Sequence, residues 1–301
     1  MTAATGRARA RVGLLGNPGD LYRGKVLAAT IDAFETVATV RATAEAAPTT
    51  VQADVADLQR LLVDRVCPGQ QSMALGVDSD VPLRSGLSGS SAILLATLRA
   101  LDAHLGLGLD PLAMAQIVWD VERHDLGIIA GPQDRVVQAL GGLQFMDFSG
   151  PTEIGVHEAL DPALLPPMVV AWPKRAGQPS GDAHQAVWSR WRKGDLELRR
   201  RIRGFATLAD EGRNALLAAD VDGFADAIDA NFDLRREIFS LDNDACALVE
   251  KAREAGSAAK YCGSGGAIIA MPRPGASLDA VADQLEATAS VCRRVRVALA
   301  S

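Results

Sequence analysis

Cysteine, histidine and aromatic residues are scarce in this chain of 301 residues. It contains four cysteines, four histidines and 4% aromatic residues. No two cysteines have the C-x-x-C spacing, and the histidines are scattered, so neither a zinc finger nor an H-E-x-x-H metalloprotease is indicated. A chain with so few thiols is typical of a reducing compartment, and we expect a cytoplasmic protein without disulfides.

An excess of positive charge and a long apolar run are also missing. The 31 Lys and Arg residues against 37 Asp and Glu residues give a net charge of −6. This balance argues against a nucleic-acid partner and against an anionic membrane surface. No stretch reaches the roughly 18 consecutive apolar residues of a membrane span, and the N-terminal apolar run is too short for a signal peptide.

The length and the order of the elements predict an α+β protein in two units. Apolar residues make up 48% of the chain, enough for a substantial core. Strand-like runs are expected at 11–15, 26–31, 37–42, 73–77, 143–148, 168–172, 259–262, 267–271 and 291–299. Helices are expected at 51–65, 92–105, 112–124, 133–140, 183–192, 195–218, 222–239, 243–255 and 278–289. The predicted division is 1–155 and 156–301.

A glycine- and serine-rich loop precedes the helix predicted at 92–105. Glycine lets backbone N–H groups approach a ligand closely, and a helix N-terminus adds partial positive charge, so the loop is typical of a phosphate site. It lacks the G-K-[ST] ending of a Walker A motif. The alternative is a flexible turn in which a serine caps the helix. The candidate nucleotide-binding residues are Gly86, Leu87, Ser88, Gly89, Ser90, Ser91 and Ala92.

A second glycine-rich loop lies between two strand-like runs in the other half of the chain. Its candidate residues are Gly263, Ser264, Gly265 and Gly266. Three glycines exceed what a hairpin turn requires, although a tight β-turn is the alternative interpretation. Two such loops in different halves suggest one phosphate chain held from both sides.

Two acidic residues lie between the glycine loops. Phosphoryl transfer needs an acid that holds magnesium and an acid that orients the acceptor hydroxyl. Glu122 and Asp134 are the candidates for these two tasks. The alternative is that both are ordinary carboxylates at helix ends.

Three segments together resemble the GHMP kinase superfamily in content and order. They are RVGLLGNPGDLY at 11–22, PLRSGLSGSSA at 82–92 and KYCGSGGA at 260–267. Within the superfamily the resemblance is to plant-type glucuronokinases, and it extends through DLGIIAGPQDRVVQALGGLQFMDF and NFDLRREIF. The second segment departs from the usual G-L-G-S-S by reading G-L-S-G-S-S. Asn17 and Pro18 stand where galactokinases have Glu-His, which argues against galactose as the acceptor.

The resemblance implies a fold, cofactors and residue roles. The fold would be a ribosomal-protein-S5 domain-2-like N-terminal domain with a ferredoxin-like C-terminal domain, and ATP and Mg²⁺ would bind between them. Ser91, or its neighbour Ser90, and Glu122 would ligate the metal. Asp134 would orient or deprotonate the acceptor hydroxyl, with the cation of Arg11 beside it.

The same resemblance implies a sugar acid as the acceptor, phosphorylated at its anomeric hydroxyl, with glucuronate as the expected substrate. Residues expected on the acceptor side are Asn17, Asp20, Tyr22 and Arg135. A uronate carboxylate needs a cationic partner, and the sequence does not choose among Arg23, Lys25, Arg84, Arg135 and Arg235. Trp188 and Trp191 are candidates for stacking on the sugar or for helix packing.

Two other functions stay open at this point. The first is a GHMP kinase acting on another sugar or on a non-sugar alcohol. The second is a sugar sensor that has the fold without the catalysis, although Ser91, Glu122 and Asp134 are all present. The expected assembly is a monomer or a homodimer.

Overall fold

Two antiparallel sheets organise the chain in the computed structural model, which describes residues 3–43, 53–69, 73–82, 85–174, 181–288 and 290–299. The first sheet has the order β1-β2-β4-β5, with β3 pairing to β2. Its strands are β1 (Ala4–Leu15), β2 (Lys25–Ala42), β3 (Met73–Ser79), β4 (Leu143–Asp147) and β5 (Val156–Leu160). The helices of this half are α1 (Ala53–Val66), α2 (Gly89–Leu105), α3 (Pro111–Asp120) and α4 (Gln133–Leu140).

The long strand β2 corrects one expectation. The sequence predicts two short strands at 26–31 and 37–42, but the structure joins them into a single strand of 18 residues. The polar residues between the runs have partners on neighbouring elements and therefore do not form a turn. Glu35 pairs with Arg7 at 2.5 Å and with Arg9 at 3.6 Å. Asp32 accepts a hydrogen bond from the backbone N–H of Arg296.

The second sheet has the order β7-β8-β6-β9. Its strands are β6 (Met168–Pro173), β7 (Ser257–Tyr261), β8 (Ile268–Pro272) and β9 (Ser290–Val295). Its helices are α5 (Gly181–Arg192), α6 (Leu196–Leu217), α7 (Val221–Ile238), α8 (Asn243–Glu254) and α9 (Leu278–Glu286). The first four lie between β6 and β7, and α9 lies between β8 and β9. This is the β-α-β-β-α-β order of a ferredoxin-like unit, so the α+β expectation is confirmed.

Strand β5 and the end of α3 also differ from the sequence expectations. Strand β5 was not expected; it pairs with β4, so the first sheet extends to Leu160 and the division at 155/156 stays a prediction. The helix expected at 112–124 is α-helical only to Asp120 and continues as a π-helical turn, Val121–Asp125. Such turns are frequent at functional sites, and this one carries Glu122.

One of the buried hydrophobic clusters contains residues from both halves. Leu14 and Leu15 of β1 pack in the same buried cluster as Phe224 of α7 and Met271 of β8. The backbone N–H of Gly13 donates to the carbonyl of Cys262 at 2.8 Å. The segments at 11–22 and 260–267 are therefore adjacent. No helix in the described ranges is both long enough and apolar enough to cross a membrane.

Candidate active site

The N-terminus of α2 is not capped by a serine side chain. Ser88 is in the left-handed region with φ of 64° and makes no side-chain cap bond. Its hydroxyl instead donates to Oδ2 of Asp134 at 2.6 Å. The first backbone N–H groups of a helix have no acceptor within the helix. Those of Gly89, Ser90 and Ser91 are therefore available to an anion, and the capped-turn alternative does not describe this loop.

The two glycine loops meet. A Cβ on Gly86, where φ is +84°, would lie 2.1 Å from the carbonyl oxygen of Gly265. A Cβ on Gly263 would lie 2.4 Å from the carbonyl oxygen of Gly86. The backbone N–H of Ala267 donates to the carbonyl of Ser85 at 2.6 Å. Only glycine permits this approach. The close contact between the two loops therefore explains why both are rich in glycine.

Arg11 connects Asp134 to both loops. Its Nε and Nη2 donate to the two carboxylate oxygens of Asp134, each at 2.6 Å. Its Nη1 donates to the carbonyls of Gly86 at 2.8 Å and Cys262 at 3.3 Å. Burial by itself would raise the pKa of Asp134, but Arg11, Arg135 and the Ser88 hydroxyl outweigh burial and lower it to about 2. Asp134 is therefore ionised at neutral pH.

Glu122 lies beneath the start of α2, with its side chain 1% exposed. Its carboxylate accepts hydrogen bonds from Ser90 at 3.0 Å and from Ser91 at 3.3 Å. It also forms a buried ion pair with Nε of Arg135. The alternative of a solvated helix-end carboxylate does not describe Glu122.

The side chain of Arg135 already has partners in its own half of the chain. Besides its ion pair with Glu122, its Nη1 donates to the carbonyl of Gly131 at 2.9 Å and lies 4.0 Å from Oδ2 of Asp134. The side chain is 4% exposed. These contacts favour Arg135 as a support for the two carboxylates, and its direct contact with an acceptor stays a prediction.

The oxygens near the first loop are of the kind that Mg²⁺ prefers. A carboxylate and two hydroxyls, from Glu122, Ser90 and Ser91, are hard ligands, and Mg²⁺ usually retains several waters. Within the described ranges no group of three or more His, Cys, Asp and Glu residues could hold a metal by itself. The residues present thus fit a magnesium ion that shares its coordination with phosphate oxygens and water.

Asp20 contacts the start of α4, the helix whose first turn contains Asp134. It is buried, and its Oδ2 accepts a hydrogen bond from the backbone N–H of Gln133 at 3.3 Å. Burial, with the nearby charge of Asp134, raises the pKa of Asp20 to about 6. A buried carboxylate with so few partners is suited to accept hydrogen bonds from a ligand.

Asn17 and Tyr22 are both buried near Asp20. Oδ1 of Asn17 accepts a hydrogen bond from Nζ of Lys260 at 2.7 Å, and Nδ2 has no partner among the described residues. The ring of Tyr22 packs against Trp188 and Trp191, with centroids 5.8 Å and 4.9 Å away. Its hydroxyl is also without a partner in the described ranges. The two tryptophans belong to α5 and, as the packing interpretation predicts, contact this tyrosine.

Sequence reasoning missed the position of Lys260. This side chain is 0% exposed. Its Nζ donates to the carbonyls of Gly13 and Tyr261 and to Oδ1 of Asn17, at 2.6–2.8 Å. Lys260 therefore fixes the loop after β1 to strand β7. The sequence signal that could have identified this residue is a lysine within a predicted buried strand. Of the candidate cations for a carboxylate, Arg84 lies outside the described residues.

Comparison with known proteins gives the family of this chain. Residues 52–142 match the model of the GHMP kinases N-terminal domain, and residues 213–291 match that of the GHMP kinases C-terminal domain. Glucuronokinase 1 of Arabidopsis thaliana is 33% identical over 309 residues, covering 87% of this chain and 83% of the relative. D-glycero-alpha-D-manno-heptose 7-phosphate kinase of Campylobacter jejuni is 40% identical over 77 residues, 26% of this chain and 23% of the relative.

Solved structures share the fold. Lactococcus lactis galactokinase complexed with galactose superposes with a TM-score of 0.80 at 16% identity, covering 99% of this chain and 94% of that one. L. major mevalonate kinase in complex with R-mevalonate gives 0.77 at 17% identity, covering 100% and 97%.

The family models and the glucuronokinase relatives, together with the paired glycine loops, indicate a phosphotransferase whose acceptor is an alcohol group. The chain belongs to the GHMP kinase family. The expected superfamily and fold are confirmed.

Proposed function

We propose that this protein is a sugar-acid kinase that transfers the γ-phosphoryl group of ATP to the anomeric hydroxyl of D-glucuronate, giving glucuronate 1-phosphate. The observation that carries the proposal is the 33% identity to Arabidopsis thaliana glucuronokinase 1 over 87% of the chain. A match over 87% of the chain extends well beyond the two nucleotide loops, so a shared acceptor supports the proposal better than shared nucleotide binding alone.

The loops would hold the nucleotide. The free N–H groups at the start of α2 and the backbone of 263–266 would bind the triphosphate. Glu122 with Ser90 or Ser91 would hold Mg²⁺, whose charge when bound offsets the charge on the phosphate oxygens. The ion pair to Arg135 orients Glu122 beneath the loop.

Asp134 would orient the attacking hydroxyl. With a pKa of about 2 it is ionised, and it accepts a hydrogen bond well but is a weak base before the transition state. Asp134 therefore accepts the hydroxyl proton late in the reaction, when the new bond between the acceptor oxygen and phosphorus has formed. Arg11 compensates the negative charge and keeps the carboxylate in place. Asp20, with Asn17 beside it, would bind sugar hydroxyls, and Tyr22 would contact the same acceptor.

The test is ADP release with glucuronate, glucose, galactose and mevalonate at the same ATP and Mg²⁺ concentrations. We expect the largest kcat/KM for glucuronate and a product with phosphate on the anomeric oxygen, identified by its acid lability and by ³¹P coupling to the anomeric proton. If glucose or mevalonate gave a higher kcat/KM than glucuronate, that compound would be the acceptor and the glucuronate proposal would be wrong. Light scattering tests the accompanying proposal of a monomer or a homodimer.

A further inference from the structure

Arg235 is a buried arginine that has no carboxylate partner among the described residues. It lies in the last turn of α7 and is 2% exposed. Among the described residues its guanidinium forms no ion pair and no hydrogen bond, and its Nε and Nη1 are sealed from solvent without a partner. The other buried arginines in the described ranges, Arg11 and Arg135, each pair with a carboxylate. An unpaired charge is among the most unfavourable groups to bury, so an anionic ligand is the partner that this position favours.

Aromatic side chains hold the guanidinium in place. Its carbon lies 5.4 Å from the ring centre of Tyr261 and 5.6 Å from that of Phe239. Both distances are within the range of cation–π contacts. These rings stabilise the cation but leave its Nε and Nη1 without acceptors among the described residues. Nη2 shares an edge of the guanidinium with each of these atoms, and such an edge matches a carboxylate through two parallel hydrogen bonds.

The surroundings of Arg235 belong to the acceptor side of the site. Phe239, whose ring packs on the Arg235 guanidinium, lies in the same buried cluster as Tyr22, and Tyr22 is two residues from Asp20. Two further buried polar atoms without partners in the described ranges lie in this region, Oη of Tyr22 and Nδ1 of His184. The ring of His184 packs on Phe239 with centroids 5.3 Å apart. The region thus contains several buried polar atoms that have no partner among the described residues.

We infer that Arg235 binds the carboxylate of the acceptor and, with the Tyr22 hydroxyl beside it, gives the enzyme its preference for a uronic acid over a neutral sugar. This inference rests on the proposed sugar-acid kinase function and selects one cation from the five that the sequence left open. Asp20 would bind hydroxyls at one side of the sugar while Arg235 binds the carboxylate. Two charges of opposite sign then fix the orientation of the ring relative to Asp134.

The experiment compares Arg235→Gln and Arg235→Lys with a matched control on the next residue of the same helix. Arg236→Gln is that control, because Arg236 is 57% exposed and pairs with Glu250 on the surface. For Arg235→Gln we expect kcat/KM for glucuronate to fall by roughly 30-fold or more, because a buried carboxylate loses its charged partner. Activity with glucose should change by less than about threefold. Arg235→Lys should recover part of the loss, and Arg236→Gln should behave as the wild type.

A second measurement separates binding from folding. Glucuronate should raise the Tm of the wild type and of Arg236→Gln but not that of Arg235→Gln. Without ligand, Arg235→Gln should melt no lower than the wild type, since it removes an unpaired buried charge. A clearly lower Tm with an unchanged ratio of glucuronate to glucose activity would make Arg235 a structural residue and overturn the inference.

The two proposals fail in different ways. If the wild type does not phosphorylate glucuronate, a Tm screen with galacturonate, other sugar acids and neutral sugars still tests Arg235. A carboxylate-specific stabilisation that Arg235→Gln abolishes would support the inference with another acid as acceptor. If the wild type prefers glucuronate and Arg235→Gln retains that preference, the kinase proposal stands and the inference about Arg235 is wrong.

Discussion

Replacing Asp20 by asparagine should stabilise the protein while it damages catalysis. Burial raises the pKa of Asp20 from 3.8 to about 6, so the ionised form is disfavoured in the folded state. At about 1.36 kcal/mol per pH unit, this shift corresponds to about 3 kcal/mol of lost stability above pH 6. Asparagine carries no charge and retains an oxygen for the backbone N–H of Gln133. The free energy of unfolding of Asp20→Asn should therefore exceed that of the wild type by up to about 3 kcal/mol at pH 8.

The sign of this effect depends on pH. A carboxyl whose pKa is higher in the folded state binds its proton more readily there, so folding is favoured as pH falls. The advantage of Asp20→Asn should be full above pH 6, shrink between pH 6 and 4, and vanish below the unfolded pKa of 3.8. Urea unfolding of the wild type and the variant at pH 8, 6, 5 and 4 measures this difference.

The matched control is Asp279→Asn, whose carboxylate is 75% exposed and pairs with Arg294 on the surface. It should change the free energy of unfolding by less than about 0.5 kcal/mol, because exposed ion pairs contribute little. Asp20→Asn should also reduce kcat/KM for the acceptor. An Asp20→Asn protein no more stable than the wild type at pH 8, or with a stability difference independent of pH, would refute the reasoning.

Three more substitutions test the nucleotide and phosphoryl-transfer parts of the site. Asp134→Asn should lower kcat by about 10²–10⁴ with ATP binding retained, and single-turnover kinetics with a binding titration would show an error if more than a tenth of kcat survived. Gly86→Ala should weaken ATP binding strongly, measured by calorimetry, because its Cβ would lie 2.1 Å from the carbonyl oxygen of Gly265; unchanged affinity would contradict the role of the paired loops. Glu122→Gln should weaken Mg²⁺-dependent nucleotide binding, and an unchanged magnesium titration would reduce Glu122 to a partner of Arg135.

Much of the fold was accessible from the sequence because its elements have strong local patterns. Helix α4 has the expected bounds, and Asp134 in its first turn faces Arg11 as the resemblance implies. The continuity of β2 was not accessible, because the partners of its polar residues are distant in the chain: Arg7 for Glu35, and the backbone of Arg296 for Asp32.

The site was predictable where residue type determines chemistry and unpredictable where it depends on pairing. Glycines and serines indicate phosphate loops by themselves. By contrast, the sequence cannot tell which arginine is free. Arg135 adjoins Asp134 and was an obvious candidate, yet Glu122 occupies it. Arg235 lies far from Asp20 in the sequence, and only the fold brings the two residues near each other. Among the described residues its Nε and Nη1 have no hydrogen-bond partner.

The contacts of Arg11 also determine when the phosphate site can form during synthesis of the chain. Its guanidinium bonds to the carbonyls of Gly86 and Cys262, and the loop at Gly263 abuts Gly86. Synthesis must therefore pass β7 and leave the ribosome tunnel before the first loop has its partner. Until then Gly86 and Arg11 lack the contacts that Gly263 and Cys262 supply, and only half of the phosphate site is present. The paired loops can therefore form only after residues 260–267 have docked against the N-terminal half of the chain.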